Sequence, residues 1–193
     1  MVTVDVWRVR LDTAQVPPPT PGEKARAARF RFPELAARYL KSHGALRAIL
    51  ARYTAAPLEF ALHEHGKPHL PLAPEVRFNL SHSHEMALVG VARDVEVGVD
   101  VEHLRPMPDF RAIAERFFPP AELPPGDETD FFRRWTRIEA VLKASGAGLF
   151  GAGIDPPGQW TIEEIHAGEG YAAAVAVEGA GIALELHDYG EDA

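Results

Sequence analysis

Residues 95–102 read VEVGVDVE. Side chains alternate along a strand, so Val95, Val97, Val99 and Val101 share one face, and Glu96, Gly98, Asp100 and Glu102 share the other. Four β-branched residues at a period of two specify an extended strand and suit no helix. The opposite face is acidic, is interrupted by a glycine, and has no basic partner within the run. A fold for this chain must give that negative face a purpose.

The rest of the composition narrows the field. The chain has 193 residues, 46% hydrophobic and 25% charged, enough to bury a real core as one large domain or two small ones. It lacks cysteine, which excludes disulfides, thiolate nucleophiles and Cys-ligated zinc. The opening MVTVDVWRVRLD reads as an alternating strand and not as a signal peptide, and no apolar run reaches the ~18 to 20 residues of a membrane span. The expectation is therefore a cytoplasmic protein with no membrane partner. A formal net charge of -8 argues against nucleic acid. The charge is uneven: residues 24–52 carry eight basic side chains against Glu34 alone, a local +7 that leaves -15 elsewhere. That segment is either a solvated helix face or a seat for a heavily phosphorylated small molecule.

Along the chain, the polyproline-like VPPPTP follows a first strand. A short helix is predicted over 22–30, stopped by Pro33, and then a longer one with Leu35, Tyr39, Ser42, Leu46, Ile49 and Tyr53 at helical spacing. Strands are predicted near 58–63, 76–81, 86–92 and 95–103. Helices follow at 109–118 and 128–145, then strands near 159–165, 171–177 and 181–187. This order, strand–helix–helix–three strands given twice, predicts an α+β fold built as a pseudo-two-fold duplication. Its halves are residues 1–94 and 95–193, with a ligand cleft between them.

The helix at 128–145 has Asp127 or Thr129 as its cap and Gly146 as its stop. Phe131, Trp135, Ile138 and Leu142 form an apolar stripe, and Phe132, Thr136, Glu139 and Lys143 lie beside it. Glu139 and Lys143, one turn apart, could simply pair with each other.

NLSHS at 79–83, GVDVE at 98–102 and WTRIEAVLKASGAGL at 135–149 occur in this order, with EHGKPHLP at 64–71, FFPPAE at 117–122 and ARAARFRFPE at 25–34. Together they resemble the 4′-phosphopantetheinyl transferases of the surfactin-synthetase-activating type, over roughly residues 1 to 177. The resemblance implies the pseudo-two-fold fold and a reaction: transfer of 4′-phosphopantetheine from coenzyme A to a serine of an apo acyl or peptidyl carrier protein, releasing 3′,5′-ADP. It implies a Mg2+ site at Asp100 and Glu102, with Glu139 as a third ligand or general base. Lys143, Ser81 and His82 would meet phosphate, Arg26 and Arg38 the 3′-phosphate, and Lys67 the adenine side. Gly98 is expected to leave room for the pyrophosphate. The carrier belongs to fatty-acid, polyketide or nonribosomal-peptide synthesis, and an internal pseudo-dimer implies a monomer.

Two positions depart from the family pattern. Ile138 stands where a lysine is usual, and His84 and Glu85 follow SHS where a glycine usually comes soon. Two other readings remain at this level. One is a coenzyme A or carrier-binding homologue without catalysis, raised by Ile138. The other is a His-dependent metallohydrolase, raised by His82 and His84 with His63 and His65 nearby.

Overall fold

The alternation predicted to run from 95 forms a strand over Val97–His103, with Val95 and Glu96 in the bend before it, and both faces of the strand are covered. A computed structural model of the chain describes residues 2–147 and 158–190. The Gly148–Leu149 end of the helix motif and the final EDA lie outside the described residues. In chain order the elements are β1 (Val2–Arg10), α1 (Pro21–Ala27), α2 (Pro33–Leu50), β2 (Ala61–Leu62), β3 (Pro68–His69), β4 (Val76–Ser83), β5 (Met86–Arg93), β6 (Val97–His103), α3 (Phe110–Phe117), α4 (Glu128–Ser145), β7 (Trp160–Glu164), β8 (Tyr171–Glu178) and β9 (Ile182–Asp188). The strand predicted at 58–63 shrinks to β2, because Pro57 and Pro68 flank a segment whose only ladder is the two-residue pairing with β3.

The helix ends follow local chemistry. Thr20 caps α1 by accepting from the Glu23 amide, and the Glu23 carboxylate accepts from the Thr20 amide in return. Pro33 opens α2, where a missing N–H does no harm. Asp127 caps α4 through its bond from the Asp130 amide, and Gly146 ends it at φ 72, a left-handed stop that suits glycine.

The fold is mixed α+β. One sheet has the order β4-β5-β1-β9, and a second has β6-β8-β7. Strand β9 lies parallel to β1, whereas β4, β5 and β1 form antiparallel pairs. The layers stack as α2, first sheet, second sheet, α4. Trp7, Phe78 and Val89 of the first sheet pack on Leu46, Ile49 and Leu50 of α2. Its other face meets Val97, Val99, Val101, Val175 and Val177 of the second sheet, so the valine row of the opening motif is the core between sheets. Burying each such side chain stabilises by about 1.5 kcal/mol. Behind β8, Ala174 and Ala176 meet Ala140, Val141 and Ala144 of α4.

Strands β4 and β6 are neighbouring edges that share no backbone ladder. Side chains bridge them instead: the amides of Val99, Val101 and His103 donate to Asn79 Oδ1 at 3.0 Å, Ser81 Oγ at 3.4 Å and Ser83 Oγ at 3.1 Å. Both strands advance two residues per bond, so they run in the same direction with polar side chains as spacers.

Candidate active site

The acidic face of β6 points at α4. Gly98 is the contact point: a Cβ there would sit 2.1 Å from the Ala140 carbonyl oxygen and 2.4 Å from the Ala144 nitrogen. This corrects the expectation that Gly98 makes room for a pyrophosphate. Its missing side chain makes room for the helix backbone. The floor beside it is equally low, because Gly98, Asp100 and Glu102 register with Ala176, Ala174 and Ala172.

Close approach brings α4 side chains onto the strand. Lys143 Nζ donates to Asp100 Oδ1 at 2.6 Å and to Ser81 Oγ at 2.9 Å, and Ser81 donates to the same Asp100 oxygen at 2.9 Å. Lys143 is therefore bonded to the strand and not to Glu139. The other carboxylates of the face also have cationic partners, distant in the chain for Glu96 and local for Glu102. Glu96 takes Lys67 at 2.5 Å and Arg77 at 3.3 Å, and Glu102 takes Arg105 at 3.0 Å. Tertiary contacts thus supply the partners of Glu96 and Asp100, and the turn after the strand supplies that of Glu102.

Asp100 is 4% exposed, and its Oδ2 is buried without a hydrogen-bond partner. Burial pushes its carboxyl up, while Lys143 and Ser81 hold it down without cancelling that effect. Glu139 is likewise pushed up, first by desolvation and then by the negative charge of Asp100, with Glu102 adding a smaller push. The three acids therefore share one field. They do not converge tightly: among the described residues, the group of three whose ligand atoms lie within 4.8 Å of one another is Asp5, Glu185 and His187 at the β1–β9 pairing. That group includes none of His63, His65, His82 and His84. His84 stacks on His103 at 4.6 Å and His63 on His69 at 4.0 Å.

A cleft of about 1030 Å³ opens beside this cluster. Arg26, Tyr39, His43, Ser81, His82 and Lys143 line its polar side, and Leu58, Phe60 and Leu62 its apolar wall. Desolvation, with the charges of Lys143 and Arg38 nearby, pushes the His82 imidazole down. The +7 segment splits here. Arg26 faces the cleft; Arg47 also lines it but is held by Glu23 at 2.9 Å. Arg38 is bound to Glu85, the residue that departs from the family pattern. Lys67 is also engaged: besides Glu96 its ammonium donates to the carbonyls of Val97 at 3.2 Å and Ala144 at 2.6 Å, pinning β6 to the end of α4. Arg26, Ser81, His82 and Lys143 thus line one cleft, Asp100 is bonded to Ser81 and Lys143 behind it, and Glu102 and Glu139 are electrostatically coupled to Asp100. Arg38 and Lys67 are tied to acidic partners of the chain itself. Ile138 packs against the aromatic cluster of Phe118, Phe131 and Phe132, which explains why an apolar residue is tolerated at that position.

Sequence reasoning missed the paired roles of Asn79 and Ser83. The signal was present as a polar residue at every second position of NLSHS, each 20 residues ahead of its β6 amide.

The pattern of the 4′-phosphopantetheinyl transferase superfamily matches residues 96–189. The 4′-phosphopantetheinyl transferase HetI of a Nostoc species is 34% identical over 92% of this chain and 89% of its own length. This chain belongs to the 4′-phosphopantetheinyl transferase superfamily. Within it, psf-1 of Bacillus pumilus is 36% identical over 72% of this chain and 66% of its own length. Sfp of Bacillus subtilis is 28% identical over 75% and 70%. Each of these relatives bears the name 4′-phosphopantetheinyl transferase, and the chain is an enzyme of this type. Among the described residues, no helix is long and apolar enough to cross a membrane.

Proposed function

We propose that this enzyme moves the 4′-phosphopantetheine of coenzyme A onto a serine hydroxyl of an apo acyl or peptidyl carrier protein. The observation that carries the reading is the Ser81–Asp100–Lys143 cluster, with its buried and unpartnered Asp100 oxygen, at the end of a cleft large enough for a nucleotide. Further support comes from the acids around it. A donor set of carboxylates with a free buried oxygen suits a hard divalent cation, so Asp100, Glu102 and Glu139 are the residues that would hold magnesium. When bound, the ion would neutralise pyrophosphate charge.

The roles of the chain's own residues then follow. Arg26 and His82 bind and orient the nucleotide phosphates from the cleft wall, and Arg38 steadies that wall through Glu85. Lys67 keeps α4 seated on β6. Lys143 offers its ammonium to a phosphate oxygen as charge moves to the leaving group. Glu139, whose pKa is raised, accepts the serine proton as the serine oxygen bonds to the β-phosphorus. The bond from that phosphorus to the bridging oxygen breaks, and 3′,5′-ADP leaves. In the same proposal, residues 1–94 and 95–193 are related halves, since β1-β5-β4 and β6-β8-β7 share a strand order. The protein works as a cytoplasmic monomer.

The test is incubation of the enzyme with coenzyme A, Mg2+ and an apo carrier protein. The carrier should gain one phosphopantetheine by mass, with equimolar 3′,5′-ADP. Failure of both products, or modification of a carrier whose serine is replaced by alanine, would overturn the reading.

A further inference from the structure

Strand β4 treats the two acids of β6 in the same way. Ser81 accepts the Val101 amide and donates to Asp100, and Ser83 accepts the His103 amide and donates to Glu102 Oε2 at 3.1 Å. In each unit one hydroxyl spans the gap between strands: it takes the amide of residue i+20 and fixes one carboxylate oxygen of residue i+19. The hydroxyl has a single proton, so once it accepts from the amide it must give that proton to the carboxylate. Each acid is thereby left with one oxygen committed to β4. The Glu102 oxygen that Ser83 holds is also the one Arg105 reaches, at 3.0 Å, which leaves Oε1 free of both.

We infer that Ser83 is a positioning residue, which orients Glu102 toward a divalent cation as Ser81 orients Asp100. The inference rests on the proposal that these acids hold that cation. Lys143 reinforces the Asp100 unit from α4, whereas the Glu102 unit depends on Ser83 and on Arg105, whose side chain is 46% exposed. Loss of the Ser83 hydroxyl should therefore release Glu102 to turn with Arg105 toward solvent. Groups that orient metal ligands are typically worth 10- to 100-fold in metal affinity.

The experiment is Mn2+ binding by electron paramagnetic resonance, with saturating coenzyme A and correction for Mn2+ held by coenzyme A alone. Ser83→Ala should weaken Mn2+ about tenfold, and Ser83→Thr, which keeps the hydroxyl, should stay within about twofold of the parent. Turnover at saturating metal should fall far less than affinity does. Ser83→Thr against Ser83→Val, two side chains of one shape differing in the hydroxyl, decides the matter should Ser83→Ala fail to fold. A lower melting temperature with unchanged Mn2+ affinity would show that the hydroxyl serves only the β4–β6 seam, and would overturn this inference alone. A parent that binds no Mn2+ would overturn the cation proposal and this inference with it.

Discussion

The two helix-on-sheet layers of this protein are built to different thicknesses. In the first, α2 stands off its sheet on Leu46, Ile49 and Leu50 against Trp7, Phe78 and Val89. In the second, α4 rests on Gly98 and on the alanines of β8, with its backbone nearly touching the strand. A bulky layer holds polar groups apart and fills the gap with hydrocarbon. A thin one lets Lys143 of the helix reach Asp100 of the strand at 2.6 Å. The Ser81–Asp100–Lys143 cluster lies where the layer is thin. The two layers also treat an acid differently: burial pushes the buried Asp100 up at the thin layer, whereas Arg47 and Thr20 overcome partial burial to hold Glu23 down beside α2.

The largest expected effect is at the thin layer's acid. Asp100→Asn should reduce phosphopantetheine transfer by at least about 10³-fold, the scale on which removing a preorganised charged group acts. Metal-free stability should stay within about 1 kcal/mol, because a buried carboxylate with an unpartnered oxygen contributes little net stability and Lys143 reaches solvent. Chemical denaturation beside single-turnover kinetics checks both halves of that statement. A large stability loss would mean that the acid serves the fold.

Next comes the layer's thickness. Gly98→Ala drives a Cβ into backbone atoms of α4, which cannot yield as a side chain can, and should destabilise by about 3 kcal/mol or more. Gly90→Ala is the control, since its Cβ would meet the Val99 Cγ1 at 2.7 Å, a side-chain atom. It should lose less. Equal losses in urea melts would break the contrast between backbone and side-chain contact.

A smaller effect is expected at the cleft wall. Arg26→Ala should weaken coenzyme A about tenfold, as one charge-assisted hydrogen bond is worth roughly 1.5 to 3 kcal/mol, and leave dephospho-coenzyme A unaffected. Arg38→Ala should have the weaker effect, because Glu85 already holds its guanidinium. Calorimetric titration of both ligands decides this, and equal losses for the two ligands would remove Arg26 from the 3′-phosphate.

The smallest effect is a pH signature of the thick layer. Burial tends to raise the Glu23 carboxyl, but Arg47 and Thr20 outweigh it and hold the group below its ordinary 4.5. A depressed carboxylate contributes stability that is present above its unfolded value and is lost as pH falls through the folded one. Glu23→Gln should thus cost about 1 kcal/mol at neutral pH, and the two proteins should converge in acid. Parallel stability curves would show that the Glu23–Arg47 contact contributes nothing through charge.

Much of this was legible locally. Period two fixed β6 and its two faces, and helical spacing with Asp127 and Gly146 fixed α4. A strand was also expected near 76–81, where β4 lies, because backbone geometry imposes these periods on nearest neighbours. Asp100 and Lys143 could be named as site residues through the resemblance that GVDVE and the 135–149 motif carry, whereas spacing alone allowed Lys143 to be a simple partner of Glu139. The sequence alone did not decide what each face would meet. Gly98 was read as space for a ligand, yet a helix 42 residues further on, at Ala140, occupies it. Lys67, expected near the adenine side, is engaged by Glu96 and by two carbonyls from distant segments, partners that local sequence does not announce. Likewise, the last strand returned to lie parallel to the first. A side chain's direction follows from its own backbone, but its partner depends on how close distant layers pack. That distance is set by the summed volumes of residues far apart in the chain.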